Sequence, residues 1–204
     1  TSLQPLVASY EKQKLELDEI RRGFSKEMLR QMQKMWASKL GLSTSNEELF
    51  KELEILMIQT SVDYTMFFRE LSEIPEDINP LKNSFYKDLS KDLSKDEELQ
   101  KRWSQWFIKW KSLINVTNIS STKSKEELSK EMKLLNPKYT LREWFLVPAY
   151  KKAKEGDYSL IKELQEVMTK PYEEQSKEVE EKYYRLKPSE FFAVAGISHV
   201  SCSS

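Results

Sequence analysis

The chain holds few residues suited to chemistry. One cysteine, Cys202, and one histidine, His199, occur among its 204 residues. A lone cysteine excludes an internal disulfide, and one histidine with one cysteine cannot assemble a His/Cys metal cluster. A Ser–His–Asp triad would have to use His199. The four glycines are scattered, so no glycine-rich phosphate cradle exists. Carboxylate pairs such as Glu173 and Glu174 are plentiful, but plenty on a charged surface marks no site. Lys101, Arg102, Lys109 and Lys111 interleave with Trp103, Trp106, Phe107 and Trp110. That pattern suits base stacking, but rings at spacings of three and four suit an aromatic core stripe with a basic outer face better. Asn115 and Asn118 open glycosylation sequons in a Ser/Thr-rich stretch read as a mobile surface loop. Sequons matter only in a secreted chain, and no basic-then-apolar leader is visible.

The elements that must position these residues read as helices. Lysine plus arginine, 33, equals aspartate plus glutamate, 33. This balance argues against a nucleic-acid partner, and no apolar run has transmembrane length. The chain starts at Thr1 rather than methionine, which suggests a fragment or a processed product. An amphipathic helix is expected from about Pro5 to Arg22, with Gly23 breaking it. Ser25 then caps a helix with Met28, Leu29, Met32, Met35, Trp36 and Leu40, whose spacing favours core packing over a flexible methionine-rich binding surface. Ser45 with Glu48 has capping-box spacing. Asp63 caps a helix bearing Tyr64, Phe67, Phe68 and Leu71, with Arg69 and Glu70 read as a solvated pair. Residues 74–82 carry Pro75 and Pro80 and read as a loop.

A short near-repeat, Lys87-Asp88-Leu89-Ser90 then Lys91-Asp92-Leu93-Ser94, is too little for a solenoid. Ser94 with Glu97, and Ser124 with Glu127, form further possible capping boxes. Asn136 and Pro137 are expected to start a helix that puts Leu141, Trp144 and Phe145 on one face and is kinked or broken at Pro148. Gly156 ends it and Asp157 caps the next helix, lined by Leu160, Ile161, Leu164 and Met168. Glu173 to Lys182 reads as surface or disordered, and from Pro188 the chain reads as irregular.

Several segments resemble a known family in the same order. These are Lys39-Leu40-Gly41-Leu42, Asp63-Tyr64-Thr65-Met66-Phe67-Phe68-Arg69-Glu70-Leu71, Asn136-Pro137-Lys138-Tyr139 with Leu141-Arg142, Pro148-Ala149-Tyr150, Gly156-Asp157-Tyr158 and Pro171-Tyr172-Glu173-Glu174-Gln175. Together with the end, Val200-Ser201-Cys202-Ser203-Ser204, they resemble the C-terminal part of the selenoprotein O family. That family consists of kinase-like proteins that transfer AMP from ATP to protein hydroxyl groups.

The resemblance implies an all-α C-terminal region of a larger kinase-like fold. Residues 1–187 would pack on an N-terminal catalytic region, and residues 188–204 would form an extended tail. ATP and Mg²⁺ would bind the catalytic region; this segment has no Asp-Phe-Gly or His-Arg-Asp string, so no catalytic, nucleotide-binding or metal residue carries over. Partners would be protein substrates and the protein's own catalytic region, not nucleic acid or membrane. Location would be mitochondrial in a eukaryote and cytoplasmic in a bacterium. Cys202 stands where family members carry selenocysteine or cysteine. The resemblance implies a disulfide to the catalytic region that ties activity to redox state, against an inert terminal thiol as the plain alternative. His199 would lower the thiol pKa where it is close and protonated. Pro188-Ser189-Glu190-Phe191-Phe192 departs from the family pattern. A stand-alone helical interaction module is the alternative function.

Overall fold

The computed structural model describes residues 10–86, 96–119 and 123–192, with the side chains of 115–119 left aside. Among them the fold is all-α, as expected, and an isolated bridge between Val62 and Phe85 is the sole β pairing. The helices are α1 (Glu11–Lys39), α2 (Glu47–Thr60), α3 (Tyr64–Leu71), α4 (Glu97–Ile119), α5 (Lys125–Leu135), α6 (Glu143–Lys154), α7 (Ser159–Met168) and α8 (Lys177–Tyr183). Short 3₁₀ turns lie at Asn79–Ser84 and Ser189–Phe191.

Two apolar cores result. The first gathers the C-terminal end of α1 with α2, α3, α4 and α5 around Leu40, Leu53, Phe67, Trp103, Trp106 and Trp110. Each of these indoles keeps an acceptor when buried. Trp103 donates to the Thr60 hydroxyl at 2.8 Å, Trp106 to the Leu49 carbonyl at 2.9 Å and Trp110 to the Leu40 carbonyl at 2.9 Å. The aromatic stripe of α4 is therefore core. Its cations face outward, with Arg102 on Glu52 and Lys109 on Glu48. The second core joins α6, α7 and α8 through Trp144, Phe145, Ala149, Leu164, Val167 and Tyr183.

Local signals explain several boundaries. Asp63 caps α3 by accepting from Met66 N at 3.0 Å. Ser124 and Glu127 form the capping box of α5. Gly156 sits at φ +86°; the N-cap of α7 is Tyr158 rather than Asp157, which accepts from Ser159 N at 2.9 Å from one residue earlier. Gly41, at φ +69°, ends α1 where an added Cβ would lie 2.6 Å from the Met132 sulfur.

Other expectations fail for identifiable reasons. Gly23 does not break the chain, because α1 runs through it for 29 residues. One glycine costs a helix interior about 1 kcal/mol, and its neighbours are good helix formers supported by Arg21–Asp18 and Arg30–Glu27 pairs. The methionine stripe of α1 is not core: Met28, Leu29, Met32 and Met35 are exposed. Asn46, not Ser45, caps α2, accepting from Leu49 N at 2.8 Å. Asn115 to Ile119 have helical backbone as the end of α4 rather than a loop. Asn136 ends α5 instead of starting a helix, α6 begins at Glu143, and Leu141 is exposed. Pro148 does not break α6, which runs on past it to Lys154 as expected. Residues 177–183 form α8, capped by Ser176. The Lys87–Lys95 near-repeat and Ser94 lie outside the described residues.

Candidate functional site

The two cores meet at a polar junction. It is built from segments far apart in the chain: 39–42, 63–72, 133–142 and 171–180. At its centre is Arg69 on α3, only 3% exposed and so no solvated partner of Glu70. Its Nη1 donates to the carbonyls of Lys133 at 3.2 Å, Asn136 at 3.1 Å and Tyr172 at 3.2 Å. Its Nη2 donates to Glu174 Oε1 at 2.5 Å. The carbonyls at the end of α5 have no partner within the helix, and a guanidinium there also meets the negative end of the helix dipole.

Asn136 does for α1 what Arg69 does for α5. Its Nδ2 donates to the Lys39 carbonyl and to the Ser72 hydroxyl, each at 3.0 Å. The backbone N–H groups of Lys138 and Tyr139 both donate to the Pro171 carbonyl, at 2.8 and 3.0 Å. Lys138 Nζ bonds Glu174 and, at 3.0 Å, Glu180. Arg142 grips Asp63 with both guanidinium ends, Nη2 to Oδ1 at 2.8 Å and Nη1 to Oδ2. The Tyr86 hydroxyl donates to Asp63 Oδ2 at 3.1 Å, and the Tyr184 hydroxyl to Glu70 at 2.7 Å.

The electrostatics follow from this packing. Burial works against charge on Arg142, but the hydrogen bonds and charge of Asp63 outweigh it and hold its pKa above the ordinary value. Burial likewise opposes charge on Lys138, yet Glu174 and Glu180 keep its pKa raised. Glu174 is held below its ordinary range because Lys138 and Arg69 overcome the desolvation that would raise it. Burial, opposed by the Tyr184 hydrogen bond, raises Glu70. Burial and the Asp63 charge push Tyr86 up to about 12.

This donor set suits mechanical linkage, not phosphate or metal chemistry. Both oxygens of Asp63 are taken by Arg142, Met66 N and Tyr86, and both of Glu174 by Arg69 and Lys138. These carboxylates do not fit a Mg²⁺ site, because a hard cation needs free oxygen ligands. Among the described residues no group of three or more His, Cys, Asp or Glu could hold a metal ion. Cys202 and His199 lie outside the described residues, so the redox expectation stays where the sequence left it. Sequence reading missed Arg69 and Glu174 as junction residues. The available signal was a basic residue directly after the buried Phe67 and Phe68 of α3.

A family model described as protein adenylyltransferase SelO matches residues 2–169. Curated relatives named protein nucleotidyltransferase YdiU include one from Flavobacterium johnsoniae, 32% identical over 197 residues, which covers 92% of this chain and 36% of the relative. One from Vibrio parahaemolyticus is 32% identical over 190 residues, with 92% and 36% covered. One from Photobacterium profundum is 36% identical over 146 residues, with 67% and 27% covered. The chain thus spans about a third of the length of the first relatives. The segments that resemble the family at 39–42, 63–71, 136–142 and 171–175 are the ones that build the junction, and with the family model matching most of its length, this chain belongs to the protein adenylyltransferase SelO family.

Proposed function

We propose that this chain is the helical, non-catalytic region of a protein adenylyltransferase that moves AMP from ATP onto Ser, Thr or Tyr hydroxyls of proteins. The observation that carries the reading is the family match over residues 2–169. ATP and Mg²⁺ belong to a kinase-like catalytic region in the two thirds of the relatives that this chain does not span. The chain's own residues act as a frame: Arg69, Asn136 and Arg142 fix three helix ends and hold the second core against the first. The partners are that catalytic region and protein substrates. The bacterial origin of the relatives supports the cytoplasmic setting over the mitochondrial one.

The test is AMP incorporation into protein by the whole gene product, with the 204-residue chain alone as control. Transfer is expected only from the whole protein, and calorimetry of this chain with ATP and Mg²⁺ should show no micromolar binding. Micromolar binding by the chain would relocate the nucleotide site into it. The resemblance at Cys202 supports a disulfide between its sulfur and a cysteine of the catalytic region, formed by exchange with an oxidised dithiol. Cys202→Ser should then abolish the response of AMP transfer to dithiothreitol; equal sensitivity in both versions would leave the thiol without that role.

A stand-alone helical interaction module is the second reading, favoured by the exposed apolar stripe of α1. The reading frame upstream of Thr1 separates the two. A kinase-like region there supports the first, and a start codon close to Thr1 the second.

A further inference from the structure

We infer that the apolar face of α1 is a docking surface for the rest of its own polypeptide, the region by which the longer relatives exceed this chain. The inference rests on the reading just given and adds where that region binds. Helix α1 contributes one buried residue, Ala37, in 29 positions. Ile20 is 69% and Phe24 63% exposed, and Met28, Met32 and Met35 are also exposed. A helix needs its apolar face packed to be stable in water, and nothing among the described residues packs on this one. Its polar face is already satisfied by Lys14–Glu11, Arg21–Asp18 and Arg30–Glu27 pairs. The missing partner is therefore apolar.

The geometry of the stripe selects the kind of partner. Leu17, Ile20, Phe24, Met28, Met32 and Met35 span 18 residues in five steps, or 3.6 per step. That equals the period of a straight helix, so the stripe runs along the axis for about 27 Å. A heptad seam between two copies of α1 would alternate steps of three and four, whereas three steps of four follow one another here from Ile20 to Met32. A straight stripe fits a globular surface instead. About two thirds of the relatives' length lies outside the match, which supplies such a body.

The stripe opens at its C-terminal end into a groove of about 290 Å³ lined by Leu29, Met32, Trp36, Leu40, Leu42 and Phe50. Trp36 lines this groove with its ring, while its indole N–H is buried and has no acceptor among the described residues. Lys39 continues the same face, four residues after Met35. Its ammonium lies 5.4 Å from the Tyr64 ring centre and 5.0 Å from that of Phe68. Burial lowers its pKa to about 8. It has no ion-pair partner among the described residues, so the occupant brings an acceptor or carboxylate to this end.

Hydrogen exchange on the whole gene product and on the 204-residue chain tests this. Amides of 15–35 should exchange at least about tenfold more slowly in the whole protein, while α2 and α4 amides are protected alike in both. The double variant Phe24→Asp with Met28→Asp should leave the urea midpoint of the short chain unchanged and abolish the added protection in the whole protein. Equal exchange of α1 in both proteins overturns the inference. So does sedimentation of the short chain as a dimer that the double variant dissociates, which would make a second copy the occupant. A gene product with no further region overturns it as well. Added α1 protection without AMP transfer keeps the docking and removes the enzymatic reading; AMP transfer without added protection does the reverse.

Discussion

Helices α1 and α4 carry large apolar residues at the same three-and-four spacing, yet they have opposite fates. Trp103, Trp106 and Trp110 of α4 are buried, and each indole N–H has an acceptor. Phe24, Met28 and Met32 of α1 face solvent. The difference lies in what surrounds them. Helix α4 is packed by α2 and α3, whereas α1 enters the body through its last turn, at Trp36 and Ala37, and its cap Leu40. Periodicity identifies a face. Only neighbours decide whether that face is a core or a surface awaiting one.

The strongest way to break this contrast is Trp106→Ala. It should cost roughly 3–5 kcal/mol, read by urea unfolding. A difference within about 0.5 kcal/mol would put the ring at the surface and erase the distinction from α1. Next is Arg142→Met, which removes the buried cation that joins the two cores at Asp63. It leaves Asp63 buried without its cation and should cost roughly 3 kcal/mol. Adding Asp63→Asn should recover part of that loss, because the uncompensated charge is then gone.

A smaller effect is expected from pH. Glu174 has a folded pKa below its ordinary 4.5. Its contribution is therefore present above the unfolded value and is lost as pH falls through the folded one. More than half of the side chain is exposed, so the effect is about 1 kcal/mol or less. Glu174→Gln should lower the urea midpoint near neutrality and leave it almost unchanged in acid. The smallest effect is at α1, where Phe24→Ala in this chain should change stability by no more than about 0.5 kcal/mol. A larger loss would mean that the stripe already has a partner within the chain.

Local features were legible in the sequence, and distant pairings were not. The aromatic face of α4, the Asp63 cap, the Ser124–Glu127 box and the Gly156 turn are each decided within a few residues, so spacing revealed them. Asn136 was misread because its amide satisfies a carbonyl at Lys39, 97 residues away, instead of capping the next helix. Arg69 was misread because a charged residue is normally solvated. Its burial depends on carbonyls from α5 and from Tyr172 that no local pattern announces. The family resemblance picked out both positions without explaining them. The explanation is that they are joints.

Arg69 also imposes an order on how the protein is made. Two of its partners, Tyr172 and Glu174, lie 103 and 105 residues downstream. A nascent chain can close α2 onto α4 early, because those contacts span a shorter loop. During that interval the guanidinium cannot be sealed in, since its acceptors have not been synthesised. Chains that end before Tyr172 therefore keep an open, charged seam beside the first core.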